Sequence, residues 1–187
     1  MLVTRQPVFR KFWHATVPLS QLQDGPKPFT LLGERLVLFI GPDGAPAALA
    51  DRCCHRTARL SQGWCVDAAG QPCGTGALQC GYHGWTYDGT GRVVRIPQYP
   101  PDRAIPPDYR TRAFRCEARH GYAWVALDEP VADIPAMPEF DAPGWRTIFQ
   151  FHEVWATSPL RALENSFDNA HFSFVHRATF GVPDAPR

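Results

Sequence analysis

Two short stretches of this chain carry side chains that bind soft metals. Cys53-Cys54-His55 offers a thiol and an imidazole in the spacing C-x-H, and Cys80-Gly81-Tyr82-His83 offers the same pair as C-x-x-H. Both stand where a β-type run gives way to turn formers, so two loops facing one another would gather two sulfur and two nitrogen donors. Thiolates are the ligands of iron–sulfur clusters, and a [2Fe–2S] cluster in which two imidazoles replace two thiolates on one iron uses this donor set. The replacement removes charge. Two ferric ions, two sulfides and two thiolates sum to neutrality, whereas a set of four thiolates leaves the oxidised cluster anionic. A neutral cluster accepts an electron more readily, at roughly −150 to +300 mV against about −400 mV for plant-type ferredoxins. Zinc also takes two thiolates with two imidazoles, but its paired ligands generally lie further apart than C-x-H allows.

A second group lies near the other end of the chain. Within the segment from Glu164 to His176, Asp168, His171 and His176 form D-x2-H-x4-H. On a helix turning about 100° per residue, Glu164, Asp168 and His171 share a face. His176 would stand about 140° from His171, so the helix must end or widen between the imidazoles if both are to meet one ion. An amphipathic helix with incidental histidines would show the same spacing.

The elements that must position these groups read as mainly β. Trp13 to Leu22 begins with a strand and turns. FTLL (29–32), RLVLFI (35–40) and APAALAD (45–51) are strands, the last two joined at Pro42-Asp43-Gly44. WTYDGTGRVVRI (85–96) is a hairpin bending at Asp88-Gly89 and Gly91. The proline-rich stretch 96–109 is a loop. RTRAFRCEAR (110–119) and GYAWVAL (121–127) pair across His120-Gly121. The acidic, proline-rich stretch 128–145 is a linker or covering strap, and TIFQFHEVWA (147–156) alternates as a strand. The convincing helix is 158–181, with Ser158 as cap, Pro159 in the first turn and Gly181 as stop. Domain limits of 9–128 and 129–187 follow.

Composition excludes several classes. A chain of 187 residues that is 44% hydrophobic can bury a core, and its 19 prolines and 15 glycines favour short strands and turns. The net charge of +1, without basic or acidic blocks, argues against nucleic acid or an anionic membrane surface. No apolar run is long enough for a membrane helix, and the N-terminus lacks a signal core, so the expected location is cytoplasmic. Six cysteines without an export signal are read as thiols or metal ligands. Cys116 alternates within a strand and belongs to the core. His14 and His152 read as packed or surface residues, and His120 as a turn residue. Trp85 is expected to shield the metal centre, with Gly81 and Gly84 allowing close backbone approach and leaving amides free to donate to it.

The stretches DRCCHRTARLSQGW (51–64) and LQCGYHGWTYDGTGRVVRIPQ (78–98) resemble the two cluster-binding loops of Rieske non-haem iron oxygenases, and GYAWVAL resembles the last strand of that domain. ENSFDNAHFSFVHRATFG resembles the mononuclear-iron segment of the same family. The resemblance implies a Rieske-type antiparallel β domain, followed by the beginning (strand plus helix) of an α+β catalytic domain. It implies a [2Fe–2S] cluster on Cys53, His55, Cys80 and His83, with Cys54 a bystander where the family commonly has proline. It further implies Fe(II) on His171 and His176, with Asn165 nearby and Asp168 bridging toward the cluster of a neighbouring subunit in a head-to-tail homotrimer. A ferredoxin or flavin reductase would supply electrons from NAD(P)H for O₂-dependent hydroxylation or demethylation of an aromatic or related substrate.

Three departures stand out. Residues 56–79 between His55 and Cys80 form a longer stretch than the family's, and the excess is placed in a glycine-rich surface excursion (66–77). Cys65 and Cys73, in or beside it, are read as free thiols, with pairing or metal binding the alternative. Ala58 and Tyr82 stand where respiratory Rieske proteins carry a disulfide, which points to a potential at the low end of the range. The family's third iron ligand, a carboxylate far downstream of His176, has no counterpart before Arg187. The expectation is therefore the front part of an oxygenase that binds the cluster well and mononuclear iron weakly. The alternatives are a stand-alone Rieske electron carrier and a zinc-binding interaction module.

Overall fold

The computed structural model describes residues 6–140, 142–148, 153 and 155–179. The chain divides into two compact units, residues 1–145 and 146–187.

The first unit is built from two antiparallel sheets. Strands β1 (His14–Pro18), β2 (Lys27–Leu31), β3 (Glu34–Ile40), β4 (Pro46–Ala50), β10 (Ala113–Arg119) and β11 (Tyr122–Ala126) form a six-stranded sheet in the order β1-β11-β10-β4-β3-β2. Strands β5 (Trp64–Val66), β6 (Pro72–Cys73), β7 (Ala77–Gln79), β8 (Thr86–Tyr87) and β9 (Val93–Arg95) form a smaller sheet in the order β6-β5-β7-β8-β9.

β3 explains how the two sheets share a core. Successive side chains of a strand point to opposite faces. Val37 and Phe39 enter one apolar cluster, with Leu49, Leu60, Leu78, Trp85 and Tyr87. Leu36, Leu38 and Ile40 enter the other, with Val17, Leu22, Phe114 and Val125. A strand buried on both faces needs apolar residues without alternation, which is why RLVLFI reads as an unbroken run. The first cluster includes Cys53 and Cys80, so the two candidate ligand thiols belong to a packed core.

Turn chemistry fixes the register. Between β3 and β4, Gly44 stands at φ +79° and the Asp43 carboxylate accepts the Ala45 amide at 3.1 Å. Between β10 and β11, His120 and Gly121 both have positive φ, +51° and +79°, as a two-residue type I′ turn requires. The His120 ring meets the Pro135 carbonyl at 3.1 Å, and the Asp128 and Val131 amides donate to Arg10 and Lys11 carbonyls. The acidic proline-rich stretch is thus a strap laid on the β unit. His14 is held by the Phe9 carbonyl at 2.9 Å, and Cys116 packs beside the second cluster.

Two expectations need correction. The excursion 66–77 is not wholly irregular: β6 pairs with β5, placing Cys73 opposite Cys65. The single helix expected over 158–181 is interrupted. α1 (Pro159–Phe167) begins on Ser158, whose hydroxyl accepts the Arg161 amide, but it ends before Asp168, and α2 (Phe172–Val175) is a separate turn. The Asp168 carboxylate accepts the Ala170 amide at 2.9 Å, a local bond that competes with helix propagation. Half of the strand expected over 147–156 lies outside the described residues, as does Gly181, and its described positions are not in a strand.

Candidate metal centre

The two Cys/His loops are the same turn made twice. In the first, the Cys53 amide donates to the Ala58 carbonyl at 2.8 Å and the Thr57 amide returns to the Cys53 carbonyl at 2.9 Å. In the second, the Cys80 amide donates to Trp85 at 2.9 Å and the Gly84 amide returns to Cys80 at 3.0 Å. The fifth residue of each turn is left-handed, Thr57 at φ +57° and Gly84 at φ +76°. Each turn aims two backbone amides at its leading sulfur: those of His55 and Arg56 at Cys53, and those of Tyr82 and His83 at Cys80. The amides on Cys80 come from Tyr82 and His83, and the Gly84 amide is taken up by the Cys80 carbonyl.

Several contacts lock the turns together. The buried Asp51 carboxylate accepts the Ser61 amide at 2.7 Å and its hydroxyl at 2.8 Å, and the Thr111 hydroxyl donates to the Arg52 carbonyl at 3.0 Å. A Cβ on Gly81 would stand 3.0 Å from the Gln62 carbonyl oxygen, so the loop bases meet backbone to backbone.

The four donors stand two and two. The Cys53 and Cys80 thiols are buried and lie within hydrogen-bonding reach of each other. The neighbouring Cys80 thiol pulls the Cys53 pKa well below the ordinary thiol value, assisted by the Tyr87 hydroxyl and the two amides, while Cys53 and burial raise that of Cys80. The His55 and His83 rings stand 4.8 Å apart, centroid to centroid. Nδ1 of His55 is buried and has no hydrogen-bond partner. Trp85 lies flat on His55, at 4.5 Å and 5°, and Tyr109 stacks on Trp85 at 5.2 Å. Trp85 thus covers one face of the His55 imidazole. Among the described residues no three His, Cys, Asp or Glu side chains gather around a single ion. Two donors per metal, twice over, is the arrangement a two-iron cluster asks for. Ala58 and Tyr82 line one hollow of about 290 Å³ beside the loops, and none of the six cysteines is in a disulfide.

Tyr87 was not anticipated. Its hydroxyl lies 3.1 Å from Cys53 Sγ and 3.3 Å from Cys54 Sγ, and it accepts the Cys54 amide at 3.1 Å. A hydrogen bond to a sulfur ligand favours the reduced, more negative state of a bound cluster. Tyr87→Phe is expected to lower the midpoint potential by about 50 mV, the one-electron equivalent of roughly 1 kcal/mol. Potentiometric titration followed by EPR measures this, and an unchanged or raised midpoint would contradict the assigned bond.

In the second unit, His171 and His176 stand 5.3 Å apart between ring centroids, and Asp168 Oδ2 lies 3.5 Å from His171 Nδ1. Both ring nitrogens of His171 are buried without a hydrogen-bond partner. The helix does break so that the two imidazoles approach, but at Asp168 and not between them. Glu164 pairs with Arg161.

Residues 12–140 match the Rieske [2Fe-2S] domain family, and the chain belongs to it. Among its relatives is the methylxanthine N3-demethylase NdmB of Pseudomonas putida, 37% identical over 190 residues that cover 97% of this chain and 52% of that protein. The solved structure of Pseudomonas putida NdmB superposes with a TM-score of 0.83, covering 96% of this chain and 54% of the other. The oxygenase component of dicamba O-demethylase from Stenotrophomonas maltophilia is 34% identical over 90% of this chain and 48% of its own length. The chain thus spans about half the length of the relatives it matches. Among the described residues no helix is long and apolar enough to cross a membrane.

Proposed function

We propose that Cys53 and Cys80 hold one iron, and His55 and His83 the other, of a Rieske [2Fe–2S] cluster, and that the chain passes single electrons through it. The observation that carries this reading is the repeated turn, which joins two buried thiols, four sulfur-directed amides and an imidazole nitrogen buried without a partner. When bound, the cluster supplies storage and release of one electron at a time. Tyr87 and the amides stabilise charge on the sulfurs, Trp85 excludes water from His55, and Asp51 keeps the first loop closed.

The wider reading is that the electron serves O₂-dependent hydroxylation or demethylation of an aromatic or related small molecule. His171 and His176 would hold Fe(II) in this reading, Asp168 would orient His171, and a ferredoxin or flavin reductase would supply electrons. The buried ring nitrogens of His171, which make no hydrogen bond, and the demethylase names of the relatives support it. The narrower reading is a stand-alone electron carrier, favoured by the fact that all four cluster donors lie within the first compact unit.

Anaerobic reconstitution tests the core of the proposal. The expected product holds about two irons and two sulfides per chain. After dithionite it gives a rhombic EPR signal with an average g below the free-electron value, and its midpoint lies toward the low end of the Rieske range. A colourless product that binds only zinc would refute the cluster.

A further inference from the structure

We propose that Cys73 and Cys65 form a dithiol site that reacts with low-molecular-weight disulfides of the glutathione type and closes into a reversible cross-strand disulfide. The hairpin joining β5 to β6 sets their relation. The Gly70 amide donates to the Asp67 carbonyl at 2.9 Å and the Asp67 amide to the Gln71 carbonyl at 3.0 Å, with Gly70 at φ +80°. This bulged turn fixes Val66 opposite Pro72 and Cys65 opposite Cys73. Ladder positions alternate, so Pro72, which has no amide proton, occupies the position that needs none, and the two cysteines occupy the next hydrogen-bonded position.

Directly opposed side chains lie on the same face of a sheet. Both cysteines meet the same apolar cluster, Cys65 within it and Cys73 against it. Opposed residues at such a position have Cα atoms about 5.5 Å apart, inside the range of roughly 4.4–6.8 Å that disulfides span. Their Cβ atoms must be drawn in from about 5 Å to about 4 Å. The two-residue edge strand β6 has to pinch to allow this. A bond closed under such strain is more easily reduced, which makes it reversible in a thiol buffer.

The two thiols have different roles. Cys73 is half-buried and its S–H donates to the Thr75 carbonyl at 2.7 Å, so a small disulfide can reach it. Cys65 is fully buried, and burial pushes its pKa up to about 11, so it waits as the resolving thiol. The Cys73 thiolate attacks one sulfur of oxidised glutathione; a protein–glutathione bond forms, the glutathione S–S bond breaks and one glutathione thiolate leaves. Cys65 then gives up its proton and attacks Cys73 Sγ, releasing the second glutathione. Two protein thiols lose two electrons and two protons, and one glutathione disulfide becomes two thiols.

The test treats the cluster-loaded protein anaerobically with oxidised glutathione, blocks free thiols by alkylation and maps peptides without reduction. The expected result is a Cys65–Cys73 cross-link in most molecules, formed before cluster absorbance falls and reopened by reduced glutathione. Cys65→Ser should leave Cys73 as a stable glutathione adduct, and Cys73→Ser should leave Cys65 reduced. If both thiols stay free in the wild type, or if Cys73 stays glutathionylated there with Cys65 unreacted, the proposal is overturned. This readout is a covalent map, so it stands or falls separately from the electron-transfer reading.

Discussion

Cys53→Ser is expected to abolish the cluster, whereas Cys54→Ser, one residue away, is expected to keep it. The two thiols are neighbours in sequence but not in environment. Cys53 is buried, receives the His55 and Arg56 amides and has its pKa lowered by the neighbouring Cys80. Cys54 is exposed, and desolvation together with the neighbouring Cys53 raises its pKa despite the Tyr87 hydroxyl. A ligand thiol must give up its proton, and the turn prepares that state at Cys53 and not at Cys54. Iron and sulfide should fall from about two each per chain to background in Cys53→Ser. The melting temperature should fall as well, because a group bound only by the folded chain adds its binding free energy to stability. In Cys54→Ser the contents should be unchanged, with at most a small shift of midpoint through Tyr87. The reverse outcome, colour lost with Cys54 and kept without Cys53, would move the first-loop ligand by one residue.

The donor set was legible in the sequence because ligand chemistry is written in residue type and short spacing. What positions the donors was less so. The two turns do not look alike in sequence: histidine is third in one and fourth in the other, and the left-handed residue is threonine in the first and glycine in the second. Their likeness lies in backbone hydrogen bonds, which the side chains barely report. Tyr87 was missed because its partner Cys53 is 34 positions away. Nothing local distinguishes it from any tyrosine of a short strand. The strands were readable where turn chemistry and β-branched or apolar runs agreed, as in β3 and β4. The helix was over-extended because periodicity continues through Asp168, while the Asp168–Ala170 bond that ends it depends on a side-chain conformation. The register that sets Cys73 opposite Cys65 depends on a bulged turn at Gly70, and composition had suggested only a glycine-rich excursion.

Gly63→Ala is expected to be strongly damaging. Gly63 does not need glycine's conformational freedom: its φ of −91° and ψ of −155° suit any residue. It needs the missing Cβ. A methyl there would sit 1.9 Å from the Gln79 carbonyl oxygen and 3.1 Å from the Gly81 amide nitrogen, both backbone atoms at the base of the second loop. Neither can rotate away, so the loops must separate, and separation draws Cys53 from Cys80 and His55 from His83. Overpacking of this kind costs on the order of 3 kcal/mol, which at this chain length lowers the melting temperature by about 10 °C. Cluster content should fall with it. Gly121→Ala is the contrasting control. Gly121 is at φ +79° with open space around its Cβ position, so the methyl meets backbone strain of about 1 kcal/mol and no collision. Calorimetry and cluster absorbance on the two variants separate the effects. If Gly63→Ala retains its cluster and melts no lower than Gly121→Ala, the loops are not held base to base, and the pairing of the four donors would need another cause.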